Sequence, residues 1–163
     1  MTSPASLATA ISISHAVVAV VHALAGAAWF GSMFYSLTVL QPRAKAFFDD
    51  DQQFEEFVAI VSQRARWKVL SAFAVVLLSG LALIPLSHPP SPSCWWLSLI
   101  VTKLVLFVAA LIVFCYASWW LWPARIFATP EEIPAFQKRF RRVGIAMIVL
   151  VGLDLALGVL AHI

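Results

Sequence analysis

Four long apolar stretches, separated by short charged segments, organise the chain. The first runs from Met1 to Pro42 without a single Asp, Glu, Lys or Arg, and the second covers residues 69–102. The other two cover residues 104–123 and, interrupted only by Asp154, residues 143–163. About 20 apolar residues in a helix cross the hydrocarbon core of a bilayer, and a helix satisfies its own backbone hydrogen bonds there. The pattern therefore predicts an all-α fold, a four-helix transmembrane bundle in up-down order.

Prolines divide the second stretch into the end of one span, a tight turn and the start of the next. These are Pro85, Pro89, Pro90 and Pro92, which disfavour a continuous helix. The predicted spans cover about residues 12–40, 68–86, 94–122 and 141–162, within one integral membrane domain over residues 1–163. The first span is expected to be a retained helix and not a signal peptide, because no Lys or Arg precedes its long apolar run.

Composition supports the same class of protein. Of the 163 residues, 62% are hydrophobic and 12% are charged, whereas soluble domains have about 45–50% apolar and about 25% charged residues. A soluble enzyme, a disordered tail and a disulfide framework are excluded, the last because the chain has only 2 cysteines. The expected partner is the lipid bilayer, and nucleic acid is not expected to bind.

Lys and Arg occur almost entirely in two of the connecting segments. Arg43, Lys45, Arg64, Arg66 and Lys68 lie between spans one and two, and Arg125, Lys138, Arg139, Arg141 and Arg142 lie between spans three and four. The positive-inside rule therefore predicts that both segments are cytoplasmic and that both termini and the proline turn are outside. The expected location is a bacterial inner (plasma) membrane.

Both charged segments contain signals for the start of a helix. Thr129 and Glu132 form a capping box, with Pro130 at the first helical position. The acidic run Asp49–Asp51 is interpreted as the cap of a second helix, which carries Phe54 into span two, and not as a metal site.

The two halves of the chain repeat the same order of span, charged segment, capped helix and span. Spans one and three match when Tyr35 is placed on Tyr116 and Pro42 on Pro123. Spans two and four match when Gly80 is placed on Gly152. Because both halves have the same orientation, the match predicts two parallel helix-hairpin repeats.

Three ionisable residues are predicted to share one layer of the bundle. The alignment of spans one and three places His22 on Lys103, and Asp154 in span four lies at a similar depth, as do Ser79 and Gly80 of span two. Ionisable residues inside a membrane face the bundle interior or a cavity and commonly mark function. The alternative is a Lys103–Asp154 ion pair that only fixes helix packing, and both interpretations stay open.

Three further histidines, His15, His88 and His162, fall at the outer ends of spans. Imidazole is a common metal ligand, so these residues are secondary candidates for a metal site. His15 and His22 share a helix face but lie about 10 Å apart, which is too far for both to bind one ion.

Span one resembles a known group of membrane proteins. His22, Trp29 and Gly31 are followed by Phe34-Tyr35 and Pro42. This spacing resembles the CopD-like family, the copper-resistance D membrane domain, and is similar to the related HemJ-type protoporphyrinogen oxidases. The resemblance implies a four-span protein associated with haem b, with an essential His at His22 and an essential Lys at Lys103.

The expected function is that of a small polytopic membrane protein that holds haem b, with copper as the alternative, in the outer half of the bundle. His22 is the expected ligand of the haem iron, and Lys103 either ligates the cofactor, pairs with a propionate or pairs with Asp154. The expected role is membrane redox chemistry or metal and haem handling. Two alternatives are a non-catalytic accessory subunit of a larger membrane complex and a HemJ-type oxidase. Enzymatic activity and a homo-oligomeric state stay open.

Overall fold

A computed structural model describes residues 4–87 and 93–160 of the chain. Seven α-helices follow one another in these residues: α1 (Pro4–Tyr35), α2 (Gln41–Phe47), α3 (Asp51–Val61), α4 (Ala65–Leu86), α5 (Cys94–Cys115), α6 (Trp122–Ile126) and α7 (Ile133–Leu160). No strand occurs within the described ranges. The prediction of an all-α fold is confirmed.

Four helical rods are long and apolar enough to cross a membrane. They cover Thr9–Phe47, Ala65–Leu86, Cys94–Ile126 and Ile133–Leu160, so the prediction of four spans in an integral membrane protein is confirmed. The first rod extends beyond the predicted end near residue 40. The fourth begins at Ile133 and not near residue 141, because the capped segment and the span form one helix. Pro85 lies inside the last turn of α4 and does not end it.

The first and third rods each contain a π-helical segment just before a proline. Ser36–Leu40 precedes Pro42, and Tyr116–Leu121 precedes Pro123. After each segment, a backbone N–H bonds to the carbonyl five residues earlier. A proline has no N–H to donate and its ring crowds the carbonyl four residues before it, which the wider π turn accommodates. The two π segments occupy corresponding positions in the predicted alignment of spans one and three. Spans one and three therefore share this local structure as well as the matched residues.

Side chains predicted to cap helices do so in the structure. Asp50 Oδ1 accepts a hydrogen bond of 3.1 Å from the N–H of Gln52, at the start of α3. Glu132 Oε2 accepts a bond of 3.0 Å from the N–H of Thr129, immediately before α7. The acidic run and the capping box therefore mark helix starts, as predicted, although α7 begins at Ile133 and Pro130 lies in the turn before it.

Charged and polar contacts define the two ends of the bundle. At one end, here called the basic end, Lys45 forms an ion pair of 3.2 Å with Asp51. Helices α2, α3 and α6 and the start of α7 come together there. At the opposite end, here called the turn end, His15 Nε2 lies 2.8 Å from Ser87 Oγ and joins α1 to α4. This alternation confirms the up-down order.

The buried core surrounds Trp29 of span one. Its ring centroid lies 4.2 Å from that of Phe73 in span two, and both side chains are almost fully buried. Ala110, which corresponds to Trp29 in the alignment of spans one and three, is the most buried residue of the same cluster. A large side chain in one half of the bundle is thus matched by a small one in the other, as dense packing requires.

Helix α1 packs against α4 and α7, and α5 packs against α7. Glycines allow the close approach of spans one and four. A Cβ added at Gly26 would lie 3.2 Å from Leu155, and one added at Gly144 would lie 3.1 Å from Leu37. Span four therefore packs against both span one and span three.

Candidate functional site

His22 is tied to span two through one ring nitrogen. Its Nδ1 lies 3.1 Å from the carbonyl oxygen of Val76 and 2.9 Å from Ser79 Oγ. A carbonyl can only accept a hydrogen bond, so the hydrogen-bond network assigns the proton to Nδ1. Ser79 donates its own hydroxyl proton to the Val75 carbonyl at 2.5 Å, which leaves its lone pairs free to accept from His22. In the neutral imidazole, the lone pair is then on Nε2.

A glycine makes room for this imidazole. A Cβ added at Gly80 would lie 3.1 Å from His22 Cε1, which is tighter than nine in ten real Cβ contacts. The ring of His22 therefore rests directly on the backbone of span two, and its rotation is restricted by Gly80 on one side and by the Nδ1 bonds on the other.

Lys103 is tied to span four in a comparable way. Its Nζ donates a hydrogen bond of 2.8 Å to the backbone carbonyl of Asp154, and it lies 3.5 Å from the carboxylate oxygen Oδ1. A Cβ added at Gly158 would lie 3.2 Å from this Nζ. Both side chains are largely buried, with 25% and 18% of their surface exposed. The structure thus brings Lys103 and Asp154 into an ion pair.

His22 in the first half of the chain and Lys103 in the second half make the same pattern of contacts with a neighbouring helix. His22 and Lys103 occupy corresponding positions of spans one and three, and each contacts a carbonyl and, four residues later, a glycine. The carbonyls belong to Val76 and Asp154, and the glycines are Gly80 and Gly158. The contacts therefore make Gly158 the counterpart of Gly80 in span four, instead of Gly152, which was expected from the sequence alone.

Two buried polar atoms near this layer have no hydrogen-bond partner in the described part of the chain. They are Oδ1 of Asp154 and the indole nitrogen Nε1 of Trp29. Oδ1 of Asp154 lies within ion-pair distance of Lys103 Nζ, at 3.5 Å, although it forms no hydrogen bond. Trp29 lies two helical turns from His22 on the same face of α1. Buried unpaired groups are uncommon and call for a specific explanation.

Of the secondary candidates, the structure describes only His15, which does not join this layer. His15 contacts Ser87 at the turn end, while His88 and His162 lie outside the described residues. Within residues 4–87 and 93–160, no three His, Cys, Asp or Glu side chains are close enough together to hold a metal ion.

A second polar cluster, which the sequence did not indicate, lies at the basic end. Arg125 donates from Nε and Nη2 to the two carboxylate oxygens of Glu55 at 2.6 and 2.8 Å, and Gln137 donates to the same carboxylate at 3.0 Å. The guanidinium of Arg125 also lies 4.7 Å from the ring centroid of Phe140. A bidentate pair of this kind fixes orientation as well as distance. It attaches α3 to the ends of spans three and four.

Comparisons with known proteins give no relative for this chain. No family model matches it, no curated protein matches it and no solved structure matches it.

Proposed function

We propose that this four-span membrane protein holds one haem b, with Nε2 of His22 as an axial ligand of the iron. The observation that carries the proposal is the fixed imidazole, whose Nδ1 is bonded to Val76 and Ser79. Metal-binding histidines almost always donate their other ring N–H to a carbonyl, carboxylate or water, which fixes the tautomer and the ring orientation. The resemblance of span one to the CopD-like and HemJ-type proteins supports haem as the group that His22 would bind.

Lys103 fits a positioning role better than that of a second iron ligand. A lysine must be neutral to bind iron, whereas the Nζ of Lys103 already donates to the carbonyl of Asp154 and lies beside its carboxylate. An ammonium group has three N–H donors, so a further donor is available for an anion such as a haem propionate. Asp154 would then hold Lys103 in place and balance its charge.

Copper fits the described residues less well. Many copper sites combine several imidazole or thiolate ligands, and the described residues include no group of three His, Cys, Asp or Glu side chains at a suitable spacing. His22 by contrast can act as a single axial ligand, which is sufficient for haem.

A bound haem would supply a one-electron redox centre. The chain's own contribution is to hold the imidazole of His22 at a fixed rotation, to keep Lys103 compensated by Asp154 and to pack apolar side chains around the layer. These features support a proposed role in membrane redox chemistry or haem handling. The oxidase alternative is less well supported, because Phe114 stands where the HemJ type has a further His, and its ring packs 5.5 Å from that of Phe73.

The proposal is tested by the visible spectrum of protein purified from cells supplied with a haem precursor. The wild type is expected to show a Soret band, and His22→Ala to lose most of it while still inserting into the membrane. Added imidazole should restore part of the band, since it can occupy the vacated position. His15→Ala is the matched control, because it removes a histidine of the same helix away from the layer, and it should keep the full band.

Two outcomes would contradict the haem proposal. A full Soret band in His22→Ala would show that another residue holds the haem. A wild type with no Soret band would favour the accessory-subunit alternative, in which the chain packs against a larger membrane complex and binds no cofactor itself.

We also propose that the basic end faces the cytoplasm and that both termini lie outside. Ten of the 11 Lys and Arg residues lie in the two charged segments at this end, as the positive-inside rule expects for cytoplasmic loops. Alkaline phosphatase fused after Ile163 should be active and green fluorescent protein at the same position should be dark. The reverse pattern would show that the orientation is wrong.

A further inference from the structure

An apolar groove opens on the surface of span three at its π-helical segment. It has a volume of about 470 Å³ and is lined by Ile112, Cys115, Tyr116, Trp119 and Trp120. Four of these five side chains are exposed, by between 43% and 75%, although three of them are aromatic. Tyr and Trp concentrate at the level where hydrocarbon meets lipid headgroups. The groove thus lies at the basic end, at the height of the membrane interface.

An arginine without an anionic partner stands at the edge of this groove. The guanidinium of Arg66, near the start of α4, lies 5.3 Å from the ring centroid of Trp119. Within the described residues, no carboxylate comes within ion-pair distance of Arg66, whereas Arg125 is bonded to Glu55 through two nitrogens. The groove therefore combines an apolar surface with one uncompensated positive charge.

The corresponding place, where spans one and four meet, has neither feature. Trp119 corresponds to Thr38 in the alignment of spans one and three, and Arg66 corresponds to Gly144 when Gly80 is placed on Gly158. A Cβ at Gly144 would lie 3.1 Å from Leu37, so spans one and four are already in contact there. The aromatic groove on span three and the cation on span two are thus not repeated on spans one and four.

We propose that this groove binds one anionic phospholipid, with an acyl chain against the apolar residues and the phosphate on Arg66. Anionic lipids accumulate against basic segments next to membrane spans, and Arg64 and Lys68 add exposed positive charge beside Arg66. A second copy of the chain is a poorer occupant. A two-fold interface would place the uncompensated Arg66 of one copy near the Arg66 of the other, and the two positive charges would repel each other. This lipid site is independent of the haem proposed at His22.

Native mass spectrometry of the detergent-purified protein, titrated with phosphatidylglycerol or phosphatidylcholine, tests the headgroup part of the proposal. The wild type should bind one phosphatidylglycerol more tightly than phosphatidylcholine. Arg66→Gln should weaken phosphatidylglycerol binding about fivefold, the equivalent of about 1 kcal/mol for one cation near the membrane surface. Arg139→Gln, which removes the same charge from an exposed position on α7, should leave the affinity unchanged.

The apolar part is tested by filling the groove. Cys115→Phe should weaken the binding of both lipids to a similar extent while the circular dichroism spectrum stays helical. Ile112→Phe repeats the test from the other side of the groove. Equal losses in Arg66→Gln and Arg139→Gln, or equal wild-type affinity for the two lipids, would overturn the proposal. So would a lipid-free dimer that both groove-filling variants convert to monomer, because a second copy would then be the occupant.

Discussion

Neutralising Lys103 and neutralising Asp154 should lower the free energy of unfolding by different amounts. The Nζ of Lys103 lies closer to the backbone carbonyl of Asp154, at 2.8 Å, than to its carboxylate, at 3.5 Å. Asp154→Asn leaves the carbonyl in place and removes one charge. Lys103→Met removes the cation and leaves the carboxylate of Asp154 in an apolar bundle, where its Oδ1 already lacks a hydrogen bond. Lys103→Met is therefore expected to be the more destabilising change.

The size of the effect follows from burial and contact. Removing one partner of a buried ion pair costs roughly 3–5 kcal/mol. The two side chains still expose 25% and 18% of their surface. The cost should therefore fall at the lower end of this range, and we expect Lys103→Met to lower the free energy of unfolding by about 3 kcal/mol. Asp154→Asn should cost about 1–2 kcal/mol, because the charge-assisted bond to the carbonyl remains. The double variant should lose about 1–2 kcal/mol less than the sum of the single losses.

Unfolding in mixed detergent micelles, followed by circular dichroism, measures the four variants of this cycle. Thr102→Val, at the exposed neighbour of Lys103, controls for changes in the surface of span three. Additive losses within error would refute the reasoning, because they would show that the two side chains do not interact. If Lys103→Met abolished the Soret band while Asp154→Asn and the His15 control kept it, Lys103 would be a haem ligand and not a positioning residue.

Two further predictions concern other contacts. Arg125→Lys should lower the free energy of unfolding by about 1–3 kcal/mol, because a lysine cannot reproduce the two parallel bonds to Glu55; a loss below about 0.5 kcal/mol in the same unfolding assay would contradict this. Gly80→Ala should displace the imidazole of His22 and reduce haem occupancy measured by the Soret band. Gly31→Ala should leave the occupancy unchanged, because no described atom beyond the backbone of its own helix turn and its two chain neighbours lies within 4 Å of the added Cβ. Equal occupancy in both variants would be the contrary result.

Much of the membrane architecture could be predicted from the sequence because few physical constraints determine it. A charge-free stretch of about 20 or more apolar residues indicates a span, and the charged segments between spans one and two and between spans three and four mark the basic end. The same constraint singled out His22, Lys103 and Asp154, since ionisable groups at that depth are rare. The structure supplies the partners of each, and Ser79 and Gly80 could be anticipated only as residues of similar depth.

Other features depend on helix rotation and packing, which hydropathy does not encode. The pair of Arg125 and Glu55 forms because α3 folds back onto the ends of spans three and four, and no periodicity in α3 specifies that direction. Aligning spans two and four by residue identity placed Gly80 on Gly152, whereas the contacts of the buried layer place it on Gly158. Apolar helices align by chance in several registers, and only the neighbouring helix decides between them. For the π segments, the available signal in the sequence was the proline that follows each of them, at positions 42 and 123.

The π-helical segments before Pro42 and Pro123 have a consequence for the phase of each rod. One residue added to an α-helix turns every following side chain by about 100° around the axis. A π turn takes up one extra residue in a wider turn, so Lys45 and Arg125, which lie beyond these segments, keep nearly the direction that an α-helix one residue shorter would give them. Deleting one residue from the second segment should therefore return that rod to α-helical winding while Arg125 still faces Glu55 and Lys103 still faces Asp154. Single-residue changes in chain length at these two places can thus be absorbed without re-aiming either end of the bundle.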